Sequence, residues 1–151
     1  MKKFSFPLGR VLDWRETQAI IEESKLERLY AELRVIDANE AALIRQRDES
    51  NRALLAAPAT TGADLAALDT FRRFTAAEHV RLEQRRVDCS KRIAAQIQTL
   101  ALKRREVRLL ERLKARRFAA WNQEFNREID AQADEAYLAK WSARSIRLPI
   151  K

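Results

Sequence analysis

The chain has 151 residues, of which 46% are hydrophobic and 34% charged, and its formal net charge is +8. Much of the hydrophobic content is alanine and only two Gly and three Pro are present, which argues against a thick multilayer core and favours long helices or a coiled coil. The single cysteine excludes an intrachain disulfide, and no stretch approaches the roughly 20 apolar residues of a membrane span, so we expect a soluble cytoplasmic protein.

The first predicted helix covers about residues 8–56. A three-four spacing runs through it from Leu12 to Leu54, and eight of these thirteen positions are apolar. That repeat is typical of a coiled-coil seam with polar interruptions. The thirteen positions are Leu12, Arg15, Ala19, Glu22, Leu26, Leu29, Leu33, Ile36, Glu40, Leu43, Arg47, Ser50 and Leu54.

A turn is predicted at about residues 57–63, within the sequence AAPATTGADL. Pro58 cannot continue a helix, and Gly62 weakens one. Thr60, Thr61 and Asp64 are suitable N-cap residues for the helix that follows.

The second predicted helix covers about residues 64–145. Its apolar stripe becomes less regular towards the C-terminus, where the steps drift to four residues. The stripe consists of Leu68, Phe71, Leu82, Cys89, Ile93, Ile97, Leu100, Val107, Leu110 and Leu113, followed by Phe118, Trp121, Phe125, Ile129 and Ala133.

Two long helices joined by a short turn favour an antiparallel hairpin, since neither helix can bury its stripe alone. The predicted fold is therefore all-α: one long two-helix antiparallel coiled-coil hairpin over residues 1–151. With the turn near residue 60, paired residue numbers should add to about 120, and about thirty residues of helix 2 should form a C-terminal overhang.

The overhang carries aromatic residues for which this arrangement offers no intramolecular partner. An unpaired apolar stripe often marks an interaction site, although a fold-back or self-association through the stripe would also cover it. The predicted partner-docking stripe consists of Phe118, Trp121, Phe125 and Trp141.

Charge is segregated along helix 2. Residues 103–117 hold eight basic and two acidic side chains, whereas residues 118–141 hold two basic and five acidic ones. A basic surface favours acidic partners such as nucleic acid, anionic lipid or an acidic protein face. The predicted basic zone consists of Arg104, Arg105, Arg108, Arg112, Arg116 and Arg117, with Lys2, Lys3, Arg10 and Arg15 added from the N-terminal end.

Catalytic, cofactor-binding and metal-binding sets are not recognised in the sequence, so we do not expect an enzyme. Cys89 and His79 are ten residues apart, about 15 Å along one helix, which is too far for them to act together. We interpret both as residues in or beside the seam.

Three other functions remain possible for the basic run. A specific DNA-binding helix is disfavoured because residues 103–121 contain no Asn and the basic residues alternate with packing leucines. Membrane-surface binding is disfavoured by the acidic residues that follow. The chain could also be a structural coiled coil that homodimerises through the C-terminal aromatic stripe. A solvated charged face would explain the arginine spacing without function.

Both ends of the chain resemble proteins of the FliJ family. The opening FSFPLGRVLDWRE resembles the family's N-terminal motif, and the run from residue 103 to residue 141 resembles its C-terminal helix. The matching residues are Phe4, Phe6, Leu8, Val11, Leu12, Arg15 and Glu16 at the start, and Glu106, Leu110, Glu111, Leu113, Lys114 and Arg116 towards the end.

The resemblance implies a component of the flagellar type III export apparatus, peripherally associated with the inner membrane and similar to the coiled coil of the rotary ATP synthase gamma subunit. Related injectisome stalk proteins share this architecture. Its partners would be the export ATPase hexamer, whose assembly and activity it promotes from the central hole, the cytoplasmic part of the export gate, and export chaperones. The basic zone would face the ATPase ring, and no cofactor would be needed.

One departure from the family concerns the export-gate contact. Better-known members have tyrosines near the hairpin turn on helix 1, but the matching stretch ALIRQRDESNR has none. Phe74 on helix 2 and Leu43 on helix 1 are the best matches for that contact.

Overall fold

The structure is a computed structural model that describes residues 3–145, with side chains to residue 142. Helix α1 is Gly9–Ala56 and helix α2 is Gly62–Ser145. The two helices pack against each other, make up 92% of the described chain, and are not accompanied by any strand in that part. The predicted all-α helical hairpin is confirmed.

The start of α1 is set by Pro7. The proline ring fixes φ and removes a backbone donor, so the residues before it do not extend the helix. A turn follows, in which the Gly9 N–H donates to the Phe6 carbonyl oxygen at 3.0 Å and the Leu12 N–H donates to the Leu8 carbonyl oxygen at 2.9 Å. The helix therefore begins one residue later than predicted.

The turn occupies residues 57–61, and α2 begins two residues earlier than predicted because Thr61 is its N-cap. The Asp64 N–H donates to Thr61 Oγ1 at 3.2 Å, and the Thr61 N–H donates to Asp64 Oδ2 at 2.9 Å. This reciprocal pair is a capping box with Asp in the place usually taken by Glu. Hydrogen bonds from the Thr61 side chain and backbone hold the pKa of Asp64 below its ordinary value.

The chain divides into two compact units. Residues 17–104 form one unit, here called the turn unit because it contains the turn. Residues 1–16 and 105–151 form the other, here called the terminal unit. Each is described by itself.

The turn unit is built on a narrow apolar core at the helix–helix contact. Ile36 and Cys89 are the most deeply buried side chains, each only 1% exposed, and Leu82 and Ile93 pack with them. Four predicted seam leucines of α1 cover this cluster: Leu26, Leu29, Leu33 and Leu43. The predicted seam of α1 is confirmed. Of its thirteen predicted positions only Arg47 is exposed.

The predicted seam of α2 is wrong at Ile97, which is 45% exposed. The preceding residue, Gln96, faces α1 instead, and its amide donates to Glu22 Oε2 at 2.6 Å and to the Glu22 carbonyl oxygen at 3.0 Å. Hydrogen bonds from Lys25 and then Gln96 lower the pKa of Glu22. Selecting only apolar residues therefore shifted the predicted register here by one position.

Thr75 is a second polar seam residue that the apolar pattern missed. It is 3% exposed, and its hydroxyl donates to the Arg72 carbonyl oxygen at 3.0 Å, so no buried oxygen lacks a partner there. A threonine that bonds back to its own helix can occupy a seam position without a partner from the other helix.

Cross-helix polar pairs define the antiparallel register within each unit. In the turn unit, guanidinium nitrogens of Arg72, Arg92 and Arg104 contact Asn51, Glu32 and Glu23 at 2.9, 3.1 and 2.6 Å. In the terminal unit, Arg15 contacts Glu106 at 2.7 Å. The paired residue numbers add to about 120, as the sequence predicts.

Truncation of the core tests whether this thin seam carries the stability. Ile36→Ala removes a fully buried side chain, so we expect the free energy of unfolding to fall by about 3 kcal/mol in urea denaturation. Val35→Ala, at the neighbouring and 57% exposed position, is the matched control and should change it by less than about 0.5 kcal/mol. Equal losses in the two variants would contradict the assigned core.

Acidification tests the capping box. Because the pKa of Asp64 is lowered in the folded chain, its stabilisation is complete above the unfolded pKa of about 3.9 and is lost as the pH falls through the lower folded value. We expect the amide protection factors of Asp64 and Leu65, whose N–H groups donate to Thr61, to decrease below about pH 4. In Asp64→Asn this pH dependence should be absent; the same decrease in that variant would exclude Asp64 as its cause.

Candidate functional site

Four arginines of the terminal unit form an outward face on α2, here called the basic face: Arg105, Arg108, Arg112 and Arg116. At 3.6 residues per turn they fall within an arc of about 80°. The half-buried Val107, Leu110 and Leu113 lie on other sides of the helix, where α1 packs in this unit. The arrangement follows from the i, i+4 spacing of the last three arginines, which places one guanidinium on each turn.

The basic face is not neutralised within the described chain. All four arginines are exposed, and no ion pair or hydrogen bond of their side chains is found among the described residues. The charge can therefore act on a partner, although each exposed pair would contribute only about 0–1 kcal/mol.

The other two members of the predicted basic zone are placed differently. Arg104, in the turn unit, donates to Glu23 Oε1 at 2.6 Å, so its charge is already paired. Arg117 lies 6.0 Å from the ring centre of Phe6, within the range of a cation–π contact. The structure thus separates four solvent-facing arginines from two that have intramolecular partners.

The cationic residues of the N-terminal end do not extend the basic face uniformly. Arg15 is engaged by Glu106 and also lies 4.8 Å from the ring centre of Trp14. Lys3 and Arg10 are exposed. Lys2 lies outside the described residues.

The expectation that Phe118 and Trp121 have no intramolecular partner is wrong. The Phe4 ring meets Phe118 edge-on with centroids 5.2 Å apart, and it lies 5.8 Å from the Trp121 ring. Trp121 in turn stacks on Phe125 at 5.0 Å. These four side chains form an aromatic cluster in the terminal unit, and Phe118 keeps 48% of its surface exposed.

A sequence signal for this contact exists in the opening segment. Phe4, Phe6 and Leu8 are half-buried, while Lys3, Ser5 and Pro7 are exposed. Alternation with a period of two indicates an extended segment with one covered face. Because Pro7 sets the start of α1, the residues before it are extended rather than helical and lie along α2, where Phe4 contacts Phe118 and Trp121.

The overhang itself begins after the aromatic cluster. All residues from 126 to 142 are exposed, including Tyr137 and Leu138. Trp141 is 64% exposed and makes no ring contact with another described residue. The uncovered part of α2 in the terminal unit is therefore shorter than the predicted overhang of about thirty residues, because Phe118, Trp121 and Phe125 belong to the aromatic cluster. Trp141 is the docking-stripe residue with the most exposed surface.

The two residues matched to an export-gate contact lie in the turn unit but play different parts. Phe74 is 57% exposed. Leu43 packs against the apolar core and lines a shallow groove with Ile44, Thr75 and Val80, a groove that Phe74 does not line. Phe74 is therefore the better placed of the two for contact with another protein.

The single cysteine lies in the seam and the single histidine lies beside it, as expected for both. The Cys89 thiol is buried and donates to the Leu29 carbonyl oxygen at 3.5 Å. His79 lies beside the seam, with Nδ1 3.3 Å from Glu40 Oε1. Among the described residues no cluster of three or more His, Cys, Asp or Glu could hold a metal ion.

None of the described helices has a stretch both long and apolar enough to span a membrane. Comparison of the chain with protein-family models, with curated proteins and with solved structures gives no match.

Removal of the Phe4 ring tests the aromatic cluster. In a background with Trp14→Phe and Trp141→Phe, so that Trp121 is the only tryptophan, Phe4→Ala should shift its fluorescence to the red and increase its quenching by acrylamide, because one side of the indole becomes hydrated. Ser5→Ala changes an exposed neighbour and should leave both signals unchanged. An unaltered spectrum for Phe4→Ala would contradict the contact.

Proposed function

We propose that this chain is a FliJ-like, non-enzymatic component of a type III protein export apparatus that binds and regulates the export ATPase ring. The observation that carries the proposal is the basic face, four exposed and unpaired arginines on a two-helix hairpin. The resemblance of the two chain ends to the FliJ family supplies the identity of the partner.

The geometry suits a protein that acts by contact. The basic face lies on the side of α2 away from the helix–helix contact, so it is left for recognition. Charges arranged on one helix face steer a partner of opposite sign and fix its orientation more than they raise affinity. Acidic loops of an ATPase ring would supply that opposite sign.

Other contacts of the apparatus are assigned to the aromatic residues. Export chaperones and the cytoplasmic part of the export gate would use the exposed surface of Phe118 and Trp141, with Phe74 as a further gate contact. The protein would then work at the cytoplasmic side of the inner membrane, held there by its partners.

Charge reversal on the basic face tests the ATPase contact. The protein should stimulate ATP hydrolysis and ring assembly of its cognate export ATPase. Arg108→Glu, Arg112→Glu and Arg116→Glu together should raise the concentration needed for half-maximal stimulation about tenfold, since complementary charges would become like charges. Helicity by circular dichroism should be unchanged, because these side chains are exposed.

The matched control makes the same change in charge on exposed residues of the turn unit: Arg45→Glu, Arg85→Glu and Lys91→Glu. That variant should retain stimulation. Absence of any effect of the unmodified protein on hydrolysis and assembly would refute the proposed function, and equal loss in both triple variants would refute the basic face as its contact.

Nucleic-acid binding is the second candidate, because guanidinium groups on successive turns can also contact phosphates. It predicts binding to duplex DNA that persists at about 150 mM salt and weakens in the Arg108, Arg112 and Arg116 variant. Binding that disappears at this ionic strength is nonspecific attraction and favours the export role.

A further inference from the structure

The outward face of α2 in the terminal unit carries opposite charges at its two ends. The basic face occupies one end, and Asp130 and Asp134 occupy the other. Both aspartates are exposed, and neither has an ion pair or side-chain hydrogen bond among the described residues. Two sets of unpaired, opposite charges thus lie on one surface of the same helix.

The two sets share one narrow strip of the helix. At 3.6 residues per turn, the four arginines and the two aspartates all project within an arc of about 80°. Between them the same arc holds uncharged residues, of which Ala119 and Gln123 are the middle ones. The strip is therefore basic, then neutral, then acidic.

The spacing of the charges is symmetric about residue 121. Arg112 and Asp130 each lie nine residues from this point, and Arg108 and Asp134 each lie thirteen residues from it. If a second α2 lies antiparallel with its two-fold axis at residue 121, both arginines meet aspartates of the other copy. Arg105 then faces Tyr137, which is 70% exposed and offers an aromatic ring to the guanidinium.

We propose that this strip is a self-complementary interface, through which two copies of the chain associate by antiparallel contact of their α2 helices. A two-fold axis uses every pair twice, so one strip supplies four Arg–Asp pairs. Ala119 at the centre has no side chain beyond Cβ and permits close approach of the helices. A parallel arrangement is unfavourable, because it sets arginine against arginine.

The chemistry of the strip determines the kind of dimer. It contains few large apolar side chains, so association depends on charge, is reversible, and weakens as salt screens the pairs. This proposal uses only the charge geometry and stands apart from the ATPase contact. If the chain forms both the dimer and the ATPase contact, it cannot form them at the same moment, because the dimer covers Arg108 and Arg112.

Mass in solution tests the proposal directly. In sedimentation equilibrium the full chain should be dimeric at low ionic strength, and its dissociation constant should rise at least about tenfold between about 50 and 500 mM salt. A chain that stays monomeric at low salt and at concentrations well above about 1 mM overturns the proposal, since four pairs of about 1 kcal/mol each correspond to a dissociation constant of about 1 mM. A dimer insensitive to salt also overturns it, because its contact would be apolar.

Charge exchange identifies the surface. The variant with Arg108→Asp and Arg112→Asp, and the variant with Asp130→Arg and Asp134→Arg, should each be monomeric, because the four paired positions 108, 112, 130 and 134 then all carry the same sign. Mixed together, they should form a one-to-one heterodimer. The chain with all four changes should regain the homodimer, as only the antiparallel register restores opposite charges in identical copies.

Failure of the mixture to associate, or of the fourfold variant to recover the homodimer, overturns the interface. Circular dichroism of each variant establishes that helicity is retained. The variant with Asp130→Asn and Asp134→Asn removes the acidic charges without reversing them and should also weaken association. The readout is mass alone, so a negative ATPase assay leaves its result unaffected.

Discussion

The hairpin depends on one narrow apolar seam, because each helix has only one hydrophobic stripe and can bury it only on the other helix. The seam is a single layer, with Ile36 and Cys89 as its most buried side chains. Such a layer has little surplus stability, and polar residues are tolerated in it only when their hydrogen bonds are complete. Thr75 and Gln96 meet this condition in different ways, one within its helix and one across to Glu22.

The sequence predicts the helices, the turn and the antiparallel register, since all three follow from local signals: periodicity, helix breakers and a cap. It is wrong at Ile97, because the residue that faces α1 there is selected by a hydrogen bond to the other helix rather than by hydrophobicity. It also misses the partner of Phe118 and Trp121. Phe4 is distant in sequence and belongs to a short non-helical segment, so only the alternation from Lys3 to Leu8 indicates its placement.

Of the candidate site, the sequence identifies the arginines but not which of them are available. That distinction is made by the acidic residues of α1, which pair with arginines of the turn unit such as Arg86, Arg92 and Arg104. In the terminal unit α1 has fewer acidic residues that could pair with the arginines of α2. The ion pair there has the opposite polarity, with Glu106 on α2 and Arg15 on α1. The basic face is what remains when the intramolecular pairs have been made, and this surplus makes recognition of an acidic surface its natural use.

The antiparallel register also bears on how the chain folds. Cross-helix partners are 21 residues apart in sequence at Arg72 and Asn51, 60 at Arg92 and Glu32, and 91 at Arg15 and Glu106. Loop-closure entropy rises with this separation, so contacts close to the turn form at the lowest entropic cost and shorten the loop for those beyond. During folding, the helix–helix contacts should therefore form first beside Thr61 and the turn and then at increasing distance from it. The contacts of Arg15 and Phe4 should be among the last to form.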